Sequence, residues 1–471
     1  MTTSTPEQAR LVRVLARGDV LALAFGAMIG WGWIVLTGTA IQSAGSLGAI
    51  LAFIVGGFAI VLVGLTYAEL ASAMPKVGGE HVYSYRALGH GASFLCTWAI
   101  ILGYLSVVAF EAVALPTVVE YIAPDYAVGH LWTIAGWEVK ATWVAVGVGG
   151  SLAMMAINYF GVTTAALLQK VVTGLILVVG VMFITGALFE GSTANMTPLF
   201  APGEAGVAAG IMAVLVMVPF LFVGFDVIPQ AAEEIDLPYK AIGKVLMLSV
   251  LLAVAWYSLI ILGTSLMLDS AALDNASLTV PEAMGVLFDA AWASNLMVLA
   301  GIAGIITSWN AFYIGGSRAI YALAQAGMLP QTFAKLHPRY KTPTNAIFLM
   351  GFLSCIAPFF GRPALVWIVD AGGLGIVIAY LFVAVSFLVL RVREPDMPRP
   401  FRVSFGMPCG VAAVLMSLAM AFLYLPGSPA ALTGAEWIIF AGWSLLGLIL
   451  YVYSLRTYGR AYSDRHMLND L

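Results

Sequence analysis

Apolar runs of about 18 residues or more, the length a helix needs to cross a bilayer, recur along the whole chain. They fall near 18–43, 48–74, 92–121, 141–158, 163–189, 206–231, 241–268, 292–325, 344–360, 364–391, 409–426 and 435–456. This pattern predicts an all-α polytopic membrane protein with about twelve spans, those near 141 and 344 being the shortest. Two spans break their own pattern. Phe25 to Trp33 sets Gly26, Gly30 and Gly32 among bulky residues, and each glycine weakens a continuous helix by roughly 0.5–1 kcal/mol relative to alanine. Backbone that leaves the helix at bilayer depth must be buried in protein or line a wet cavity. The stretch therefore reads either as a broken helix with free N–H and C=O groups for a ligand, or as a close helix contact through small residues.

The sixth span repeats the oddity. Met217 to Pro229 holds Pro219, Pro229, Gly224 and the carboxylate of Asp226 inside an apolar segment, and each proline removes a helix hydrogen bond. Interruptions in the first and sixth spans are what an inverted repeat of five plus five helices produces, with a site between them near the midplane.

Composition agrees. The 471 residues are 61% hydrophobic and 10% charged, with a mean hydropathy of +0.97, where a soluble protein carries about 25% charged residues. Cys96, Cys355 and Cys409 lie far apart in apolar surroundings, and the five histidines are scattered with no HExxH or comparable spacing. A metal or redox site, a cofactor and an intramembrane enzyme are therefore not expected. No P-loop is present for ATP drive, and the net charge of −3 offers no basic patch for nucleic acid. The apolar run after Arg10, Arg13 and Arg17 is too long for a removable signal peptide.

Charge sets the orientation. With the N-terminus inside, of 21 basic residues only Lys140 and Arg362 fall outside, whereas Glu120, Asp125, Glu138, Glu190, Glu204, Asp269, Asp274, Glu282 and Asp289 line the outer loops. The positive-inside rule then places both termini in the cytoplasm of a cell-membrane protein.

Two carboxylates stand out chemically. Glu111 lies between Tyr104 and Pro116 in the third span with no basic residue nearby, and ionisable groups inside a bilayer mark ion, proton or ligand pathways by default. Tyr104, Val108 and Glu111 share a helix face. The alternative for Glu111 is a neutral carboxyl hydrogen-bonded between helices. Asp226 either takes part in substrate handling or gating, or N-caps the second half of the sixth helix.

Three further stretches resemble the amino acid/polyamine/organocation (APC) superfamily. Glu69 to Tyr83, with its Pro-x-x-Gly-Gly-x-x-x-Tyr core, is similar to that family's loop between helices 2 and 3. Gly224-Phe225-Asp226 with Ala232-Glu233-Glu234 is similar to its helix 6, and Ser317-Arg318 through Pro330, His337-Pro338 and Thr342-Pro343 to its helix 8 and the following loop. With Asn158, Gly161, Val162 and Gln169, the resemblance runs from about residue 15 to 395.

It implies a leucine-transporter-like fold: a tail over 1–15, five-helix repeats over 16–191 and 204–393 with discontinuous helices 1 and 6, peripheral helices over 405–457, and a tail over 458–471. It further implies an amino acid or amine bound at the breaks, by Gly26, Ile29, Gly30, Trp31, Gly32, Phe222, Gly224 and Phe225, with Trp309 and Asn310 as pocket wall. Glu111, Asp226, Tyr104 and Arg318 become coupling or gating candidates. Thr307 and Ser308 stand where sodium-coupled relatives of the wider fold place ion ligands, but adjacent hydroxyls in a membrane helix commonly bond their own backbone.

Two departures matter. Trp31 stands between Gly30 and Gly32 where the family has a small residue, which narrows the expected pocket. The helix 5 lysine that occupies a sodium-like site in some members would fall at Ile176, while Lys170 is expected to snorkel to the cytoplasmic interface. The expectation is a secondary carrier of amino acids or amines, coupled to protons rather than sodium or working by exchange. The alternatives are a nutrient sensor on the same scaffold and a sodium symporter. Substrate identity and oligomeric state are not written in the sequence.

Overall fold

The computed structural model describes residues 11, 13–201, 206–428 and 431–468. Arg10, Glu204 and the outer parts of both tails, which enter the expectations above, lie outside them. The chain begins with α1 (Arg17–Met28) and α2 (Gly32–Ala44), which meet at 41° across Ile29–Trp31. At Gly45, φ +79°, the chain reverses so tightly that a β-carbon would stand 2.6 Å from the Ala201 amide nitrogen; only glycine serves there. Then come α3 (Ser46–Ala73), α4 (Glu80–Leu88), α5 (His90–Ile122), the hairpin β1 (His130–Ile134) with β2 (Trp137–Lys140), α6 (Ala141–Tyr159), α7 (Val162–Glu190) and α8 (Val207–Phe222). After α9 (Val227–Gln230) follow α10 (Tyr239–Met267), α11 (Ser270–Asn275), α12 (Thr279–Phe288), α13 (Ala291–Gln325), α14 (Thr344–Ile356), α15 (Ala364–Arg393), α16 (Gly406–Leu423), α17 (Gly434–Tyr458) and α18 (Arg460–Leu468).

Among the described residues ten helices are long and apolar enough to span a membrane, or up to eleven once α1 and α2 are joined. The remaining expected span, near 344, is α14 with its 3-10 extension to Phe360, shorter than a full crossing. The β-hairpin went unexpected because strands of five and four residues are too short for an alternating pattern to stand out between two spans. Ala135 (φ +48°) and Gly136 (φ +79°) make its two-residue turn, as such hairpins require.

The helices differ sharply in how they are covered. The apolar windows of α5 and α13 are each 83% buried and that of α17 only 11%, so α5 and α13 form the interior and α17 faces lipid. It is fastened all the same. Trp98 on α5 and Trp443 on α17 stack 4.3 Å apart, and each indole N–H donates to the other's carbonyl at 2.9 Å.

Both ends of the described chain lie on one face. Val14 and Leu15 donate their amides to the Glu234 carbonyl at 2.9 Å, and in α18 Asp464 accepts from the Tyr85 hydroxyl at 2.5 Å while Ser463 donates to the Ala326 carbonyl at 2.6 Å. Arginine–carboxylate pairs cluster with them. Arg318 grips Glu234 with two nitrogens, both at 2.9 Å and both partners fully buried. Glu69 receives Arg391 and Arg399, and Arg86 meets Glu394. Such bidentate pairs are the strong kind. Glu233, beside Glu234, accepts the Val77 amide at 3.3 Å.

Candidate functional site

The two interrupted spans meet. Helix α8 contains Pro219 and ends where Gly224 takes φ +138°, and a β-carbon on Gly224 would sit 2.6 Å from Ala27 Cβ and 3.0 Å from the Met28 amide nitrogen. Helix α13 closes the third side, its Gly304 so near that a β-carbon would stand 2.8 and 2.9 Å from the carbonyl oxygens of Gly30 and Ile29. The free backbone of the first break is thus walled by protein, as non-helical backbone at this depth must be. The close-packing reading of Gly26 and Gly30 holds alongside it. Gly26 lies under Gln169 and Thr173, and Gly30 under Glu111 and Ser308.

The unwound groups find specific partners. Tyr257 of α10 donates its hydroxyl to the Met28 carbonyl at 2.8 Å, satisfying one of the orphan acceptors at the end of α1. The Trp31 amide, at the start of α2, donates to Glu111 Oε1 at 3.5 Å, and the Ser308 hydroxyl donates to the same oxygen. Glu111 Oε2 is buried without a partner. The third-helix carboxylate therefore occupies the positive N-terminal end of a half-helix, where anions are favoured.

Aromatic rings surround this point. Trp33 and Phe25 meet Trp256 edge-on at 5.4 and 5.9 Å, and Phe53 and Phe222 each lie 5.2 Å from Tyr257. The indole N–H groups of Trp33 and Trp256 are buried without an acceptor. Trp31 itself turns towards α13, its ring filling the space over Gly301, and Gly32 faces Leu221.

Other candidates are placed differently from one another. Trp309 packs over Gly150 of α6, and its indole N–H is buried without an acceptor. Asn310 joins an amide chain: Asn158 donates to it at 3.0 Å, it donates to Gln169 at 2.9 Å, and Gln169 donates to the Ala22 carbonyl at 3.2 Å. Thr307 returns its hydroxyl to the Gly304 carbonyl at 2.8 Å, as expected of a hydroxyl on a membrane helix. Ile176 is buried, and Lys170 pairs with Asp19 at 2.8 Å, half-exposed at the start of α1.

Asp226 does not cap α9 with its side chain. Its Oδ1 turns back to accept the Gly224 amide at 2.8 Å, and Oδ2 is buried without a partner. Phe225 packs against Tyr67 at 5.3 Å and Tyr380 at 5.5 Å. Tyr104, seven residues before Glu111, reaches Glu80 at 3.5 Å rather than Glu111. Sequence reasoning passed over Tyr257, Trp256 and Glu80. A lone tyrosine or tryptophan in an apolar span carries no signal, and Glu80 follows a polar loop where it reads as solvated.

Comparison with known proteins agrees with this arrangement. The amino acid permease family model matches residues 18–450. The branched-chain amino acid permease BcaP of Bacillus subtilis is 28% identical, over 98% of this chain and 97% of its own. The methylthioribose transporter of the same organism is 27% identical over 97% and 95%, and its aspartate-proton symporter 26% over 84% and 76%. These relatives are carriers, so the chain is read as a multi-pass membrane transporter and not an enzyme. The matched span runs through both interrupted helices and the carboxylate between them, and the chain belongs to the amino acid permease family.

Proposed function

We propose that the protein carries neutral amino acids with apolar side chains across the cell membrane by alternating access, with proton coupling through Glu111. The observation that carries this reading is Glu111 seated on the N-terminal amide of α2 inside an aromatic wall. A substrate carboxylate is drawn to that same half-helix end, and the carbonyls of the last turn of α8, where a helix runs out of its own donors, suit its ammonium. When Glu111 takes a proton, its hold on the Trp31 amide weakens and the amide is free for the substrate.

The walls of Trp33, Trp256, Phe53 and Phe222 offer no fixed charge to a substrate side chain, and a branched-chain permease is among the relatives. Sodium has little to bind where Thr307 is spent on its own helix and the Gln169 amide holds the Ala22 carbonyl. The repeats 16–191 and 204–393 would rock about the breaks, with the termini-bearing face in the cytoplasm. Ser277, exposed beyond α11, should then react as Ser277→Cys with an impermeant reagent applied outside.

The test is a thermal-shift screen of amino acids and amines, followed by uptake into proteoliposomes. Stabilisation by neutral apolar amino acids and accumulation under an imposed pH gradient, unchanged by sodium, are expected. Binding without uptake would mark a sensor, and preference for charged substrates would overturn the substrate class.

A further inference from the structure

A second buried acid lies on the termini-bearing side of the breaks. Glu80 opens α4 and has no exposed surface. Its Oε1 accepts the hydroxyls of Tyr67 at 3.2 Å and Tyr104 at 3.5 Å, and its Oε2 accepts the Gln230 side-chain amide. Asp226, also fully buried, stands just before α9, one helical turn from the Gln230 that bonds Glu80. The groups around the two acids are Tyr67, Tyr83, Cys96, Tyr104 and Tyr380, none of which carries positive charge. Among the described residues no lysine, arginine or histidine makes an ion pair with either acid.

Acceptor capacity is left over as well. Asp226 Oδ2, Gln230 Oε1 and the Tyr380 hydroxyl are buried with no partner. Two carboxylates in a dry site without a cation repel too strongly to be charged together. One proton on the two acids relieves the repulsion, and Asp226 Oδ2, buried with no partner, is free to carry it.

We infer that Glu80 and Asp226 form a carboxyl pair that holds one proton and relays the coupling proton between Glu111 and the termini-bearing side. The inference rests on the proton coupling proposed above. Tyr104 and Glu111 stand seven residues apart on one face of α5, roughly 10 Å along the helix, so the transfer proceeds through water when the breaks open. The step balances: the Glu111 carboxyl loses a proton and becomes a carboxylate, the pair gains it, and the pair later gives it to water on the far side. Tyr104 and Gln230 are positioning residues that hold the Glu80 carboxyl against α9.

The experiment compares wild type, Glu80→Gln, Asp226→Asn and Tyr104→Phe in proteoliposomes, each first shown monodisperse. It reads substrate-for-substrate exchange, net uptake under a pH gradient, and the dependence of net uptake on lumenal pH. Both acid variants should keep exchange within about twofold while net uptake falls at least about tenfold and loses its lumenal pH dependence, with Tyr104→Phe intermediate. If Glu80→Gln does not fold, Asp226→Asn carries the same test. Wild-type uptake that moves protons, with variants that keep its rate and pH profile, would overturn the relay alone. Wild-type uptake that moves none would overturn both the relay and the coupling beneath it. Sodium or potassium stimulation that Glu80→Gln abolishes would make the pair a metal-cation site instead.

Discussion

Glu234 and Glu111 are both sealed from solvent, but in opposite company. Glu234 is clamped by the two nitrogens of Arg318 at the face that carries the termini, while Glu111 meets only a hydroxyl and a backbone amide beside the broken helices. Glu69, with two arginines, belongs to the first kind; Asp226 and Glu80, with none, belong to the second. A buried carboxylate with an arginine keeps its charge as part of the structure, and removing the partner leaves that charge unpaid. One without a cation must be able to lie neutral, since an isolated charge is too costly there. The molecule thus separates acids that fasten helices from acids held without a cation, and it is the second kind that we propose exchanges a proton.

The sharpest way to break this comparison is Arg318→Ala. Stranding Glu234 should destabilise the protein by about 3–5 kcal/mol, seen as a large fall in the thermal unfolding midpoint in detergent. A loss no greater than that of Glu111→Gln would erase the distinction. Glu111→Gln itself should leave the fold nearly unchanged and keep exchange, yet abolish accumulation driven by a pH gradient. If binding weakens instead by about 1.5–3 kcal/mol, the size of a charge-assisted hydrogen bond, the carboxylate pairs with the substrate ammonium and the proton travels elsewhere.

Gly30→Ala sharpens the same point from the backbone side. Its β-carbon would stand 2.5 Å from Glu111 Oε1 and 2.7 Å from Ser308 Oγ, so substrate affinity should drop by about tenfold, or about 1.4 kcal/mol, in a protein that still purifies intact. Calorimetric titration with the best ligand of the screen measures it. The smallest effect belongs to Gln169→Ala, which removes neutral hydrogen bonds worth about 1 kcal/mol each. It should lower stability modestly without making uptake sodium-dependent.

How much of this could be read from the chain depended on contrast. Gly30, Gly32, Pro219 and Asp226 are conspicuous because they interrupt apolar helices, and Glu111 because nothing polar surrounds it in sequence. Both breaks and the helical architecture were legible for that reason. Glu80 was not, because it follows Lys76 to Gly79 and its burial arises only when α4 packs against α5 and α15. The hydrogen bond from Tyr257 to Met28 joins residues far apart in sequence, and which face of α10 turns inward is fixed by packing rather than by local pattern. Of the two readings of Asp226, the cap is not made, because its Oδ1 accepts the Gly224 amide instead.

The amide chain from Asn158 through Asn310 and Gln169 to the Ala22 carbonyl holds the first half-helix by groups that bear no net charge. Sliding α1 past that chain breaks no ion pair within it. For a zwitterionic cargo under the proton coupling proposed above, the transmembrane voltage acts on the proton at about 2.3 kcal/mol per elementary charge for each 100 mV. Under that proposed coupling the carrier's current would count protons, which turns an electrical recording of this protein into a measure of its coupling ratio.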